Sequence, residues 1–261
     1  DHMVRWTGLS KQAFDRFETR ADLAYGVKPA EKLDLFIPAG GGPHPLMIFI
    51  HGGYWRAMDK DVHAFPALSF VPDGIALASI NYTLAPAADM DEIVGECRAA
   101  LAWCHRNAAE LNIDPDRIHV SGHSAGGHLT AMMLATDWPA FDPDLPAGLV
   151  KSGVPISGLY DLEPIRLTYL NEDVRLTEDL AARNSPVALV PRGPGSMVIA
   201  AGGIESGEFH RLQTELVENW RPHIDDIEAV AMPGLHHFNV VTALGEADSP
   251  LYRAARRRIL G

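Results

Sequence analysis

The chain has 261 residues, with 22 Lys and Arg against 34 Asp and Glu for a formal charge of −12, 47% hydrophobic residues and 2 Cys. That length and composition suit one large α/β domain with a sizeable core and exclude disorder for the bulk of the chain. The negative balance repels phosphate backbones and anionic lipid at long range, so no nucleic-acid and no membrane partner is expected.

Cys97 and Cys104 lie seven positions apart in a helical pattern, about 10 Å along an axis and beyond the roughly 7 Å reach of a disulfide, so free thiols are expected. The opening residues lack a charged n-region followed by an apolar run, and no apolar stretch nears the roughly 20 residues of a membrane span. Together these point to a soluble, cytoplasmic protein.

In chain order, residues 32–37 alternate as an edge strand would. Gly40-Gly41-Gly42-Pro43 lacks the Lys and Ser/Thr of a phosphate loop and reads as a turn. Residues 46–50, 75–80, 117–121, 150–156, 197–201 and 227–232 are short, continuously apolar runs that read as strands buried on both faces. Helical patterns fall between them at 59–71, 90–111, 124–136, 206–221 and 238–259. Such alternation predicts a mostly parallel central sheet with helices on both faces, an α/β fold. Residues 158–194 lack periodicity and carry Pro164, Pro186, Pro191 and Pro194, so a small cap insertion on a single domain (1–261) is expected there. The basic run Arg253, Arg256, Arg257, Arg258 reads as the solvated face of a last helix.

Gly122-His123-Ser124-Ala125-Gly126 matches G-x-S-x-G, between a predicted strand and a predicted helix as the nucleophile elbow requires. Small neighbours let strand and helix approach while a strained turn projects the Ser124 hydroxyl, and the Ala125 amide at the helix start faces a developing oxyanion. His51-Gly52-Gly53-Tyr54-Trp55 follows an early strand, where this arrangement places the rest of an oxyanion hole. Gly53 is the expected donor, with Gly52 or Tyr54 as its alternatives. Tyr54 and Trp55 are candidate walls of an aromatic pocket.

A serine nucleophile needs a base oriented by a carboxylate. The chain order Ser, acid, His leaves His210, His223, His236 and His237 of the twelve histidines, and the pair His236-His237 sits in the loop after the last predicted strand. Glu205, in the loop after residues 197–201, stands where the acid is expected, with Glu208 and Asp161 as rivals. No H-E-x-x-H spacing or Cys/His set suggests a metal site, and the chemistry needs no cofactor.

These residues resemble the α/β-hydrolase superfamily of esterases and lipases, and more closely its kynurenine formamidase (arylformamidase) branch. The branch-level similarity lies in His51-Gly52-Gly53-Tyr54-Trp55, Asn81-Tyr82 with Leu84-Ala85-Pro86, the elbow with flanking Ser121 and Gly127-His128-Leu129, residues 157–164, Glu205-Ser206 with Glu208-Phe209, and His237-Phe238. The resemblance implies His237 as the base and N-formylkynurenine or a related aryl formamide as substrate. Family members commonly use Asp as the acid and have Asn or Asp before the base, where this chain has Glu205 and His236. The residues by themselves support hydrolysis of a small ester or amide. A broad carboxylesterase, or a non-catalytic binding protein on the same scaffold, are the rival readings, and a homodimer is left open.

Overall fold

The computed structural model describes residues 2–193, 195–224 and 226–261. Eight strands, β1 (Glu18–Ala24), β2 (Lys32–Ile37), β3 (His44–Ile50), β4 (Ala76–Ile80), β5 (Ile113–His123), β6 (Val150–Ile156), β7 (Ser196–Gly202) and β8 (Ile227–Met232), form one sheet in the order β1-β2-β4-β3-β5-β6-β7-β8. The β1/β2 and β2/β4 pairs are antiparallel and the rest parallel. The helices are α1 (His2–Arg16), α2 (Ala67–Phe70), α3 (Met90–Arg106), α4 (Ala108–Leu111), α5 (Ala125–Leu134), α6 (Trp138–Phe141), α7 (Glu163–Arg166), α8 (Asn171–Val174), α9 (Glu178–Arg183), α10 (Gly207–Trp220) and α11 (Pro250–Leu260).

The period of two along a strand divides the core into two layers. From β3, Leu46, Ile48 and Ile50 join Ile93, Cys97 and Leu101 of α3 and Leu129 and Met133 of α5 on one face. Met47 and Phe49 point the other way, into a layer shared with Trp6 and Ala13 of α1, Phe70 of α2 and Leu251, Tyr252 and Ala255 of α11. Every residue of β3 is therefore buried, as its unbroken apolar run predicts. Cys97 and Cys104 are free and buried. Among the described residues no helix is long and apolar enough to cross a membrane.

Several elements differ from expectation. β2 is not the edge, because β1 covers it, and Leu33, Asp34, Leu35 and Phe36 are buried. The stretch 59–71 is broken rather than one helix: 3₁₀ turns at Lys60–His63 and Val71–Asp73 flank α2, and Pro66 interrupts the run. The predicted helix at 90–111 starts on an Asp89–Glu92 capping box and divides at Asn107, whose side chain donates to the Trp103 carbonyl. The last predicted helix begins only at Pro250, after a 3₁₀ stretch at Val240–Gly245. The basic run is the solvated face of α11, as expected: Arg253, Arg256 and Arg257 are exposed, and Arg256, Arg257 and Arg258 pair with Asp73, Glu228 and Asp226.

Helices α7 to α9 lie in the segment expected to insert over the sheet, of which Pro194 lies outside the described residues. Leu162, Ile165, Val174 and Leu180 from it join the α3 and α5 layer, and ion pairs Arg183–Asp91 and Arg56–Asp173 tie it to the body.

Candidate active site

The elbow joins β5 to α5. Ser124 sits at φ 59°, ψ −116°, a region that side chains avoid, and is pinned there by Ser124 N donating to Ile156 O (2.9 Å) and Ser124 O accepting from His128 N (3.0 Å). Gly126 permits the close approach: a Cβ there would lie 1.9 Å from the Ile50 carbonyl oxygen at the end of β3. The same packing brings the loop after β3 beside the serine.

In that loop Gly53 holds φ +103°, and a Cβ on it would strike the Ala57 carbonyl oxygen at 2.2 Å, so glycine is required. Its own carbonyl accepts from the amides of Arg56 and Ala57, both at 3.1 Å. Among the described residues the amides of Gly52, Gly53, Tyr54 and Ala125 donate to no acceptor of the chain, which leaves them free for a ligand oxygen. His51 is buried, stacked on Tyr82 (4.4 Å between ring centres), and its Nδ1 lies 2.8 Å from the Gly52 carbonyl oxygen. Burial lowers its pKa to about 4, so it stays neutral and orders the loop.

Tyr54 lines the cavity beside Ser124, but Trp55 does not, which corrects the pocket-wall expectation for it. Both have positive φ (51° and 58°), and the turn drives the Trp55 ring into the core, where Nε1 donates to His128 Nδ1 at 3.2 Å. His128 Nε2 donates in turn to the Asn184 carbonyl (2.7 Å).

His237 Nδ1 lies 2.8 Å from Glu205 Oε2. The other oxygen of that carboxylate accepts from Ser157 Oγ (2.5 Å) and from the Gly202 amide (2.6 Å). Burial pushes the Glu205 pKa up, but the hydrogen bonds from His237, Ser157 and Gly202 outweigh it and hold the carboxyl below the ordinary glutamate value. The competing residues are engaged elsewhere. His236 stacks edge-on against His2 (4.7 Å) and its Nδ1 accepts from the Phe238 amide. Glu208 is paired with Arg211, and Asp161 accepts from the Glu163 amide. His210 lines a separate hollow with Pro233, and His223 is exposed.

Ser124 and His237 line one cavity of about 130 Å³ with Gly52, Gly53, Tyr54, Trp6, Met58, His63, His123 and Phe238. Among the described residues no hydrogen bond joins Ser124 Oγ to His237; such contacts often tighten only around substrate. His63 is pushed to about 3 and His123 well below the usual histidine value, both mainly by burial. His237 keeps a fifth of its side chain exposed, with Phe209 and His123 each 4.6 Å away. Sequence reasoning missed Trp6, Met58, His63, Phe238 and the Ser157 anchor. Trp6, Ser10 and Ala13 are buried at helical spacing on α1, but with one of the three polar the stripe is too narrow to read from sequence. No group of three or more His, Cys, Asp or Glu among the described residues is arranged to hold a metal.

The BD-FAE family pattern matches residues 33–154. A solved structure from Silicibacter sp. TM1040, whose thioesterase assignment is itself provisional, superposes with a TM-score of 0.85 at 34% identity, covering 97% of this chain and 92% of that one. The kynurenine formamidase of Danio rerio is 35% identical over 204 residues, 76% of this chain and 67% of its own length. That of Salmo salar is 32% identical over 243 residues, 88% of this chain and 79% of its own. With an eight-stranded, mostly parallel sheet, a serine elbow and relatives at this level over most of both lengths, the chain belongs to the kynurenine formamidase family of α/β-hydrolases.

Proposed function

We propose that this hydrolase of esters or amides is an arylformamidase acting through Ser124, His237 and Glu205, with N-formylkynurenine or a closely related aryl formamide as substrate. The observation that carries the reading is the His237–Glu205 hydrogen bond of 2.8 Å beside a cavity shared with the strained Ser124. Ser124 Oγ adds to the formyl carbon as His237 Nε2 takes the hydroxyl proton. The carbonyl oxygen, now an anion, is held by the Ala125 amide and those of the Gly52–Tyr54 loop. His237 returns the proton to the aryl nitrogen, the C–N bond breaks, and the arylamine leaves. Water, deprotonated by the same imidazole, then cleaves the formyl ester to formate and restores Ser124. Glu205 stays ionised throughout, fixing the imidazole orientation and stabilising its charged form.

A cavity of about 130 Å³ suits a small acyl group with part of an aromatic ring and not a long acyl chain. Turnover of N-formylkynurenine against p-nitrophenyl acetate tests the reading. Formamide turnover well above that of the ester is expected, and no formamide turnover by an enzyme that cleaves the ester rejects it. A carboxylesterase for small neutral esters is the second reading, favoured by a cavity lining without Lys, Arg, Asp or Glu to meet a charged substrate end. A fluorophosphonate that fails to label Ser124 rejects both and leaves a binding protein.

A further inference from the structure

Helix α1 brings into the cavity an aromatic residue that the reaction above does not use. Trp6 lies 2% exposed in its second turn and lines the same cavity as Ser124 and His237. Its ring meets His63 at 5.2 Å, His123 at 6.2 Å and Phe238 at 6.4 Å between centres. The helix is fastened around it: Ser10 Oγ accepts from the Ala64 amide (3.1 Å), Arg5 pairs with Glu246 (3.1 Å), and His2 stacks on Phe238 at 5.7 Å. Trp6 is therefore a fixed wall and not a passing contact.

Its Nε1–H is buried and meets no acceptor among the described residues. Two other buried indoles have their donors satisfied. Trp55 Nε1 donates to His128, and Trp220 Nε1 to the Pro186 and Leu189 carbonyls at 3.1 and 2.9 Å. A buried indole N–H usually finds a partner, and one left without an acceptor is destabilising. At the wall of a reaction cavity, that cost is offset when a ligand supplies the missing oxygen.

We propose that Trp6 is a specificity-determining residue for the leaving group. Its ring walls the substrate's aromatic ring, and its N–H donates to a neutral carbonyl oxygen carried ortho to the scissile bond, as in an ortho-acyl anilide or an ortho-acyl phenyl ester. A neutral donor suits a neutral acceptor here, because the lining holds no Lys or Arg to recognise a charged one. The inference rests on the serine-hydrolase reading of this cavity.

Two matched substrate pairs test it: phenyl acetate with 2-acetylphenyl acetate, and formanilide with N-formyl-2-aminoacetophenone. Trp6→Phe keeps a ring and removes the donor. The wild-type enzyme is expected to favour the keto member of each pair, and the variant to lose about tenfold of that keto-to-plain preference in kcat/KM, mainly through KM, whatever its rate on the plain members. An unchanged ratio, or an equal loss on both members, overturns the proposal. Turnover of the esters with none of the formamides sinks the arylformamidase reading instead, and Trp6 is then judged on the ester pair. Should the variant fail to fold, wild-type enzyme carrying ¹⁵N-tryptophan is titrated with 2-aminoacetophenone and with aniline. One indole N–H resonance moving downfield with the ketone only supports the proposal, and an equal or absent response to both ligands overturns it.

Discussion

Ser157 Oγ lies 2.5 Å from Glu205 Oε1, and the serine holds a φ of +47° at the end of β6 to reach it. Strain at a non-glycine residue is thus spent on orienting the carboxylate that faces His237. Ser157→Ala keeps the strain and loses the charge-assisted hydrogen bond, so kcat should fall about tenfold with KM little changed. Ser157→Gly should be as slow yet more stable than the Ala variant by about 1 kcal/mol, since glycine carries no penalty at positive φ. Urea midpoints beside steady-state rates check both, and equal stability of the two variants would contradict the strain argument.

Ser124→Ala should abolish turnover while leaving the thermal midpoint within a few degrees, because the backbone bonds to Ile156 and His128 that pin the turn do not involve the hydroxyl. Glu205→Gln should lower kcat by roughly 10²- to 10⁴-fold, since an amide can hold the imidazole in the wrong tautomer. Single-turnover assays separate these from binding defects. Turnover in Ser124→Ala close to the wild-type rate would remove the nucleophile assignment.

Acid should destabilise the fold early. Burial lowers the pKa of His51 to about 4, His63 to about 3, and His119 and His128 to about 4. In the unfolded chain each returns to about 6.5. Above that value neither state holds these protons. As pH falls below it the unfolded chain binds protons that the folded chain refuses, so stability declines until the folded values are reached. Unfolding at pH 5 should therefore take up about four protons from these residues alone. The urea midpoint, followed from pH 7 to pH 5, should fall steeply, and a flat curve over that interval would refute the account.

Lys60 is buried with its ammonium 2.9 Å from the equally buried Asp34. Desolvation opposes the charge, but hydrogen bonds to Asp61, Asp34 and Asp22 raise the lysine pKa above its ordinary value. Lys60→Met leaves the Asp34 carboxylate with only the Asp22 amide (2.8 Å) as hydrogen-bond partner among the described residues, and should cost about 3–5 kcal/mol. Lys60→Met with Asp34→Leu should recover much of that loss, which chemical denaturation can measure. No recovery would mean that packing and not charge sets the cost.

The parallel strands were legible because burial on both faces writes them as unbroken apolar runs, and β5 with its glycines announced the elbow. β1 was not, since it is an exposed edge with no apolar alternation. α1 buries only Trp6, Ser10 and Ala13, too narrow a stripe to stand out. Trp55 was misplaced because neighbours in sequence were treated as neighbours in space, whereas two consecutive left-handed residues send its ring away from that of Tyr54. Chain order reduced the histidines to four, the loop after β8 to a pair, and the resemblance favoured His237; in the structure it is His237 whose Nδ1 meets Glu205, while His236 packs on His2.

His2 and Trp6 touch Phe238, so opposite reaches of the polypeptide meet over the cavity. Contacts so distant along the chain form late, after the intervening loops have closed. During synthesis the elbow and the glycine loop emerge long before the His237 imidazole. With the proposed triad, a nascent chain on the ribosome carries a silent hydroxyl, and hydrolytic competence arrives only when the final strand and its following loop have docked.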